Sequence, residues 1–171
     1  MQTISRKDFC KNKNFVDNWL KNISLKDGYY IAGFVDGEGS FNVSLKKRND
    51  YEKDWKITAS FNISQKDRVI LAWIKDIFGC GTLRERKDGM VYYEVTNVPL
   101  LIEKVIPFFI KFNFISANKK RNFSIFKRIV EIMSLKEHLE PEGFKKILEL
   151  RETLNEGRGR KRKYNLIDVI K

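Results

Sequence analysis

The sequence predicts an α+β fold of order αββαββα, with a four-stranded antiparallel sheet and further helices at its C-terminal end. Two stretches of strict apolar–polar alternation, a second hairpin with a strong turn signal, and helical-period segments between them carry that prediction. At 171 residues, one domain with a sizeable core is the expected unit.

Residues 1–23 are polar with scattered apolar positions (Phe15, Val16, Trp19, Leu20) and read as an N-terminal extension or arm. Ser24-Leu25-Lys26-Asp27 resembles a capping box, so a helix should start there and run to about Asp36, stopped by Gly37 and Gly39. From Ser40 the period becomes two. In "SFNVSLKKR", Phe41, Val43 and Leu45 alternate with Asn42, Ser44, Lys46 and Arg48. In "WKITASFNIS", Trp55, Ile57, Ala59, Phe61 and Ile63 alternate with Lys56, Thr58, Ser60, Asn62 and Ser64. These are two half-buried strands joined by a polar loop over 47–54.

Ser64-Gln65-Lys66-Asp67 reads as a second capping-box start, for a helix through Phe78 that ends at Gly79. "TLRER" and "MVYYEVT" then flank Lys87-Asp88-Gly89, whose Asp-Gly is a hairpin signal. Helical patterns follow over 98–110, 117–134 and 141–155. "NEGRGRKRKYN" reads as an exposed basic linker before a short helix over 164–170. The expected organisation is an arm (1–23), a main domain (24–156) and a basic tail (157–171).

Charge is the strongest bulk signal: 34 Lys and Arg against 22 Asp and Glu give a net +12. A surplus of that size suggests a polyanionic partner, nucleic acid first. No apolar run approaches the length of a membrane span, and the polar, basic N-terminus is no signal peptide, so no membrane partner is expected. Cys10 and Cys80 lack metal-site spacing, and with His138 the single histidine a zinc site is not expected.

The charge falls in a pattern. The sheet face opposite the core carries Asn42, Ser44, Lys46, Arg48, Lys56, Thr58, Ser60, Asn62, Arg84, Arg86 and Tyr92. A solvated face ordinarily mixes signs, whereas this one is almost without acids, Glu94 excepted. Asn and Arg at alternate positions suit base edges in a major groove, so double-stranded DNA is the expected partner.

The stretch "YYIAGFVDGEGSF", 29–41, raises a different question. Acids are disfavoured at a helix C-terminus, yet Asp36 and Glu38 sit there. Hydrogen bonding to one of them, or a divalent cation, would compensate; carboxylate and carbonyl oxygens are the ligands Mg²⁺ prefers. Gly33 and Gly37, four apart beside Ala32, allow either tight packing in the helix's own core or close approach of another backbone.

"IAGFVDGEG" resembles the LAGLIDADG motif of homing endonucleases position for position, with Gly37 at an alanine position and Glu38 at that of the second acid. The αββαββα order, "FNISQKD", "FGCG" and "KKRNFSIFKRIVEIMSLKEHL" extend the resemblance over about 25–150, towards single-motif members encoded in organellar introns. It implies a soluble organellar (chloroplast or mitochondrial) endonuclease that makes double-strand breaks in a long pseudo-palindromic DNA site by metal-dependent phosphodiester hydrolysis. It further implies Mg²⁺, with Mn²⁺ as substitute, held by Glu38 and the Gly37 carbonyl. Gln65 and Lys119 are implied as the other catalytic residues, with Lys120 the alternative lysine and Asp36 structural. One motif implies a homodimer through Ala32, Gly33 and Gly37. The family's alternatives are a maturase acting on its own intron RNA and a catalytically inactive DNA-binding protein.

Overall fold

The computed structural model describes residues 19–48, 55–156, 163–164 and 168–169. Most of the N-terminal arm, most of the loop 47–54, the linker over 157–162 and most of the last short helix lie outside them.

Helix α1 (Leu25–Glu38) begins as expected at Ser24, whose hydroxyl oxygen accepts from the Asp27 N–H at 3.0 Å. It ends differently. Gly37 is still helical, and Gly39 leaves the helix with φ −83° and ψ 157°, already extended. The helix therefore passes without a turn into strand β1 (Gly39–Lys47). What requires glycine at 39 is proximity: a Cβ there would lie 2.5 Å from the Val35 side chain and 2.9 Å from its carbonyl oxygen.

Strand β2 (Trp55–Gln65) pairs antiparallel with β1. Both alternate as the sequence does, with Phe41, Val43, Ile57, Ala59, Phe61 and Ile63 buried. The expected cap at Ser64 is displaced, because Ser64 and Gln65 remain in β2. Asp67 caps helix α2 (Arg68–Phe78) instead, accepting from the Val69 N–H at 2.8 Å. Gly79 closes α2 at φ +63°, a left-handed position that glycine enters without steric cost. Strands β3 (Thr82–Glu85) and β4 (Val91–Val95) follow, giving the order β1-β2-β4-β3.

The expected helix over 98–110 is broken in three. Helix α3 (Val98–Leu100) runs through a π-helical segment, Leu101–Val105, into α4 (Ile106–Lys111). Pro107 explains the widened turn, because it has no N–H to donate and its ring would press on the carbonyl four residues back. Helix α5 (Ala117–Ser134), a short 3₁₀ segment (Glu137–Leu139) and α6 (Pro141–Thr153) complete the described chain, α6 ending two residues before the expected 155.

The helices cover one sheet face over an aromatic core. Phe41 meets the rings of Phe61, Phe109, Phe114, Phe123 and Phe126 at centroid distances of 5.0–5.9 Å. This packing clamps the start of β1 against α5, so the polar side chains between the phenylalanines are held on a rigid support.

Candidate nucleic-acid interface and active site

Register turns the alternation into a surface. Ser40, Asn62, Glu94 and Thr82 stand abreast across the four strands. Ser64, Tyr92 and Arg84 form the next row, and along the first hairpin Asn42 faces Ser60 while Ser44 faces Thr58. The sequence-expected residues on β1, β2, β3 and β4 thus share one face; Arg48 follows the end of β1 and Arg86 the end of β3. Lys46 and Lys56 are direct cross-strand partners, and like charges so placed repel. A negatively charged ligand over the hairpin would relieve that repulsion. Arg86 is engaged with its neighbour: its guanidinium donates to the Tyr92 hydroxyl at 2.8 Å and lies 4.7 Å from that ring's centre.

The two acids of α1 part company. Asp36 is taken up by the start of α5. Its Oδ2 accepts the backbone N–H groups of Ile115 (3.2 Å) and Ser116 (3.0 Å), and its Oδ1 accepts the Ser116 hydroxyl. Ser116 is itself the N-cap of α5, accepting from the Lys119 N–H at 3.3 Å. A carboxylate badly placed at the end of its own helix is therefore well placed at the positive end of another. Partial burial raises the Asp36 pKa, but the Ser116 side chain, the two backbone N–H groups and the Lys119 charge outweigh it and hold the carboxyl below its ordinary value. Asp36 thus joins the end of α1 to the start of α5 through three hydrogen bonds.

Glu38 remains exposed at the helix end, and its carboxylate makes no hydrogen bond among the described residues. Lys119 stands close by: its ammonium donates to the Gly39 carbonyl at 2.5 Å. Burial lowers the Lys119 pKa more than the nearby carboxylates of Asp36 and Glu38 raise it. Lys120, the alternative, is exposed. Gln65 closes β2 at the same end of the sheet, two residues beyond the partner of Gly39, and its Oε1 accepts the Lys66 N–H at 2.8 Å.

Among the described residues no group of three or more His, Cys, Asp or Glu is arranged to hold a metal. One chain brings the Glu38 carboxylate and the Gly37 carbonyl. The helix's last N–H, from Gly39, goes to Val35, which leaves the Gly37 carbonyl beyond the intrahelical ladder. Two oxygen donors fit Mg²⁺ as a protein's share of an octahedron otherwise filled by water and phosphate oxygens.

Of the three α1 residues expected at a helix crossing, Ala32 is 2% exposed and packs into the chain's own core, so it does not offer the outward contact expected of it. Gly33 and Gly37 do face outward: a Cβ at either would meet nothing within 4 Å. Leu25, Tyr29 and Tyr30 extend that outward face, each more than half exposed. Sequence reasoning missed Arg151 and Asn155, which bond to the edge of β1; no local pattern marks contacts 108 and 114 residues apart.

Comparison with known proteins is consistent with this arrangement. The family model described as LAGLIDADG endonuclease matches residues 31–130. The probable intron-encoded endonuclease 2 of Neurospora crassa is 36% identical over 145 residues, 82% of this chain and 32% of that protein. The homing endonuclease I-ApeII of Aeropyrum pernix is 32% identical over 103 residues, 59% of this chain and 60% of that one. The chain spans less than two thirds of the length of these curated relatives. Among solved structures, the archaeal intron-encoded homing endonuclease I-Vdi141I complexed with DNA superposes with a TM-score of 0.79 at 34% identity, covering 85% of this chain and 92% of that chain. I-SmaMI bound to its uncleaved DNA target in the presence of calcium ions gives 0.72 at 31% identity, covering 78% of this chain and 46% of that one.

Proposed function

This chain belongs to the LAGLIDADG endonuclease family, and from that premise we propose that it is a site-specific DNA endonuclease that cuts both strands of a long, pseudo-palindromic target by Mg²⁺-dependent hydrolysis. The observation that carries the reading is the position of Glu38. It is an exposed carboxylate at a helix end, without a hydrogen bond among the described residues, where the polar, basic sheet face begins.

The hairpin β1–β2 supplies the contacts to bases, and Lys46 and Lys56 those to phosphates. Glu38 and the Gly37 carbonyl would hold Mg²⁺, or Mn²⁺ in its place, and the ion would supply an activated water and charge neutralisation at the phosphate. Lys119 spends one of its three ammonium N–H donors on Gly39, which aims the other two at the developing charge. Gln65, with its oxygen engaged by Lys66, turns its amide N–H₂ outward to orient the water.

Two copies complete the site. The open Gly33 and Gly37 let two α1 helices cross closely, so each delivers one Glu38 to a shared axis. I-Vdi141I is matched over nearly its whole length and I-SmaMI over about half, which supports reading the fold described above as one unit of a two-unit assembly. Residue usage rich in Lys, Asn, Ile and Phe and the intron-encoded relatives support expression from an organellar intron. Among the described residues no helix is long and apolar enough to cross a membrane.

The test is cleavage selection from a randomised duplex library in Mg²⁺, with Glu38→Gln alongside. Defined double-strand ends from wild type only are expected. DNA bound but uncut with every divalent metal would leave a binding protein, and tight selective binding of intron RNA without cutting would leave a maturase.

A further inference from the structure

Strand β1 lies at an edge of the sheet, where backbone groups lack a neighbouring strand. The chain after α5 holds that edge. Arg151, 5% exposed in the last turn of α6, donates from Nε to the Val43 carbonyl at 2.9 Å. Asn155 donates from Nδ2 to the carbonyl of Phe41, the next alternate residue, at 2.8 Å, and the same nitrogen lies 3.4 Å from Oδ1 of Asn42. The Asn155 backbone is left-handed at φ 56°, and its N–H is held at 2.9 Å by Oδ1 of Asn122, a residue only 6% exposed. The Asn122 Nδ2 reaches Oδ1 of Asn118 at 3.4 Å. Asn118, Asn122, Asn155 and Asn42 thus form a chain from the outer surface of α5 to the polar face of β1, passing through the Asn155 backbone N–H between Asn122 and Asn155.

We propose that Asn155 is a positioning residue for base readout, holding the Asn42 amide with Oδ1 turned towards it so that Asn42 presents its Nδ2 donors to DNA. The inference rests on the DNA-reading role proposed above for the sheet face. An asparagine that reads adenine uses both ends of its amide, accepting from N6 and donating to N7. With its oxygen turned towards Asn155 and its Nδ2 towards the groove, Asn42 favours acceptor groups: purine N7, guanine O6 or thymine O4. The hold comes from two sides, since the Phe41 carbonyl fixes the backbone next to Asn42 while the amide contact fixes its side chain. Neither Asn155 nor Asn122 need touch DNA for this to operate.

Asn155→Gly separates positioning from folding, because glycine accepts a left-handed backbone at least as readily as asparagine and deletes only the amide. Full-length wild type, Asn155→Gly, Asn42→Ala and the double variant are each put through a binding selection on randomised duplexes, with Ca²⁺ in place of Mg²⁺. The expected result is a change in preference of roughly fivefold or more at one base pair in Asn155→Gly, the same pair that Asn42→Ala alters. The double variant should match Asn42→Ala. A wild-type preference profile in Asn155→Gly, or a loss spread evenly over all positions, would overturn the assignment. Loss of cooperative melting in Asn155→Gly would also overturn it, by making the residue purely structural. A wild type with no base preference at all would remove the sheet-face reading, and this assignment with it.

Discussion

Replacing Asp36 tests whether a carboxylate conserves the joint between α1 and α5 or serves chemistry. Asp36→Asn keeps the shape. One amide oxygen can still accept from Ile115 and Ser116, and the Ser116 hydroxyl can reverse to accept from the new N–H₂. What is lost is charge: the ionic part of three hydrogen bonds, about half their strength, and the anion at the start of α5, about 0.3–1 kcal/mol. Because these contacts are largely solvent-facing, the sum is about 1–2 kcal/mol, or roughly 2–8 °C in Tm for a chain of this size. Asp36→Ala loses the hydrogen bonds outright and should cost about 2–3 kcal/mol.

The pH dependence adds a second constraint. The folded-state pKa of Asp36 is held below its unfolded value, so its stabilising contribution is present at neutral pH. That contribution falls away as pH drops below about 4 and through the depressed folded value. Thermal melts of wild type and Asp36→Asn should therefore differ at pH 7 and converge in acid. Equal stability at pH 7, or a gap that persists unchanged below pH 3, would refute the capping role.

Four further outcomes follow from the same geometry. Glu38→Gln should abolish cleavage in Mg²⁺ while leaving DNA affinity intact or improved and Tm unchanged or slightly higher, since an anion is removed from a helix C-terminus; near-wild-type cutting would show that Glu38 is not the ligand. Lys119→Met should change stability by less than about 1 kcal/mol, the lost Gly39 bond being offset by relief of a half-buried charge, yet reduce the cleavage rate with DNA affinity largely kept. Gly33→Leu should leave the isolated fold intact, because a Cβ meets nothing there, but shift sedimentation towards the monomer by about 1–3 kcal/mol in dimer affinity; an unchanged dimer would place the interface elsewhere. Arg84→Ala should cost about 1–3 kcal/mol and relax one base position if the residue reads guanine, and wild-type affinity should fall steeply with salt; a flat salt response would leave the net +12 charge unexplained.

The parts of this molecule that were legible in its sequence are those set by near neighbours. Alternation through Phe41–Leu45 and Trp55–Ile63 predicts the buried face because side-chain direction in a strand depends only on position along it. Gly79 predicts a helix end because a left-handed residue is locally costly for anything else. Gly37 misleads by the same logic, since glycine inside a helix costs only about 1 kcal/mol and here leaves a surface open. Ser64 and Gln65 carry a helix-start pattern, but pairing with Tyr92 and Val91 keeps them in the strand, and the cap passes to Asp67. The π-helical segment before Pro107 is a compromise between a missing donor and an apolar face that must stay in the core, which no period reveals.

The two acids at the end of α1 show where local reading stops and function begins. The sequence marks both as misplaced, because both oppose the helix dipole. Folding resolves one: Ser116, 80 residues away, brings the start of another helix to Asp36, and the misplacement becomes a joint. Nothing among the described residues does the same for Glu38; Lys119, on which its charge acts, donates to a backbone carbonyl. A local rule broken with no compensation inside the fold is where function is expected. On the reading proposed above, a cation held by Glu38 would offset that disadvantage. The same contrast explains why Asp36 should register chiefly in melting curves and Glu38 chiefly in cleavage.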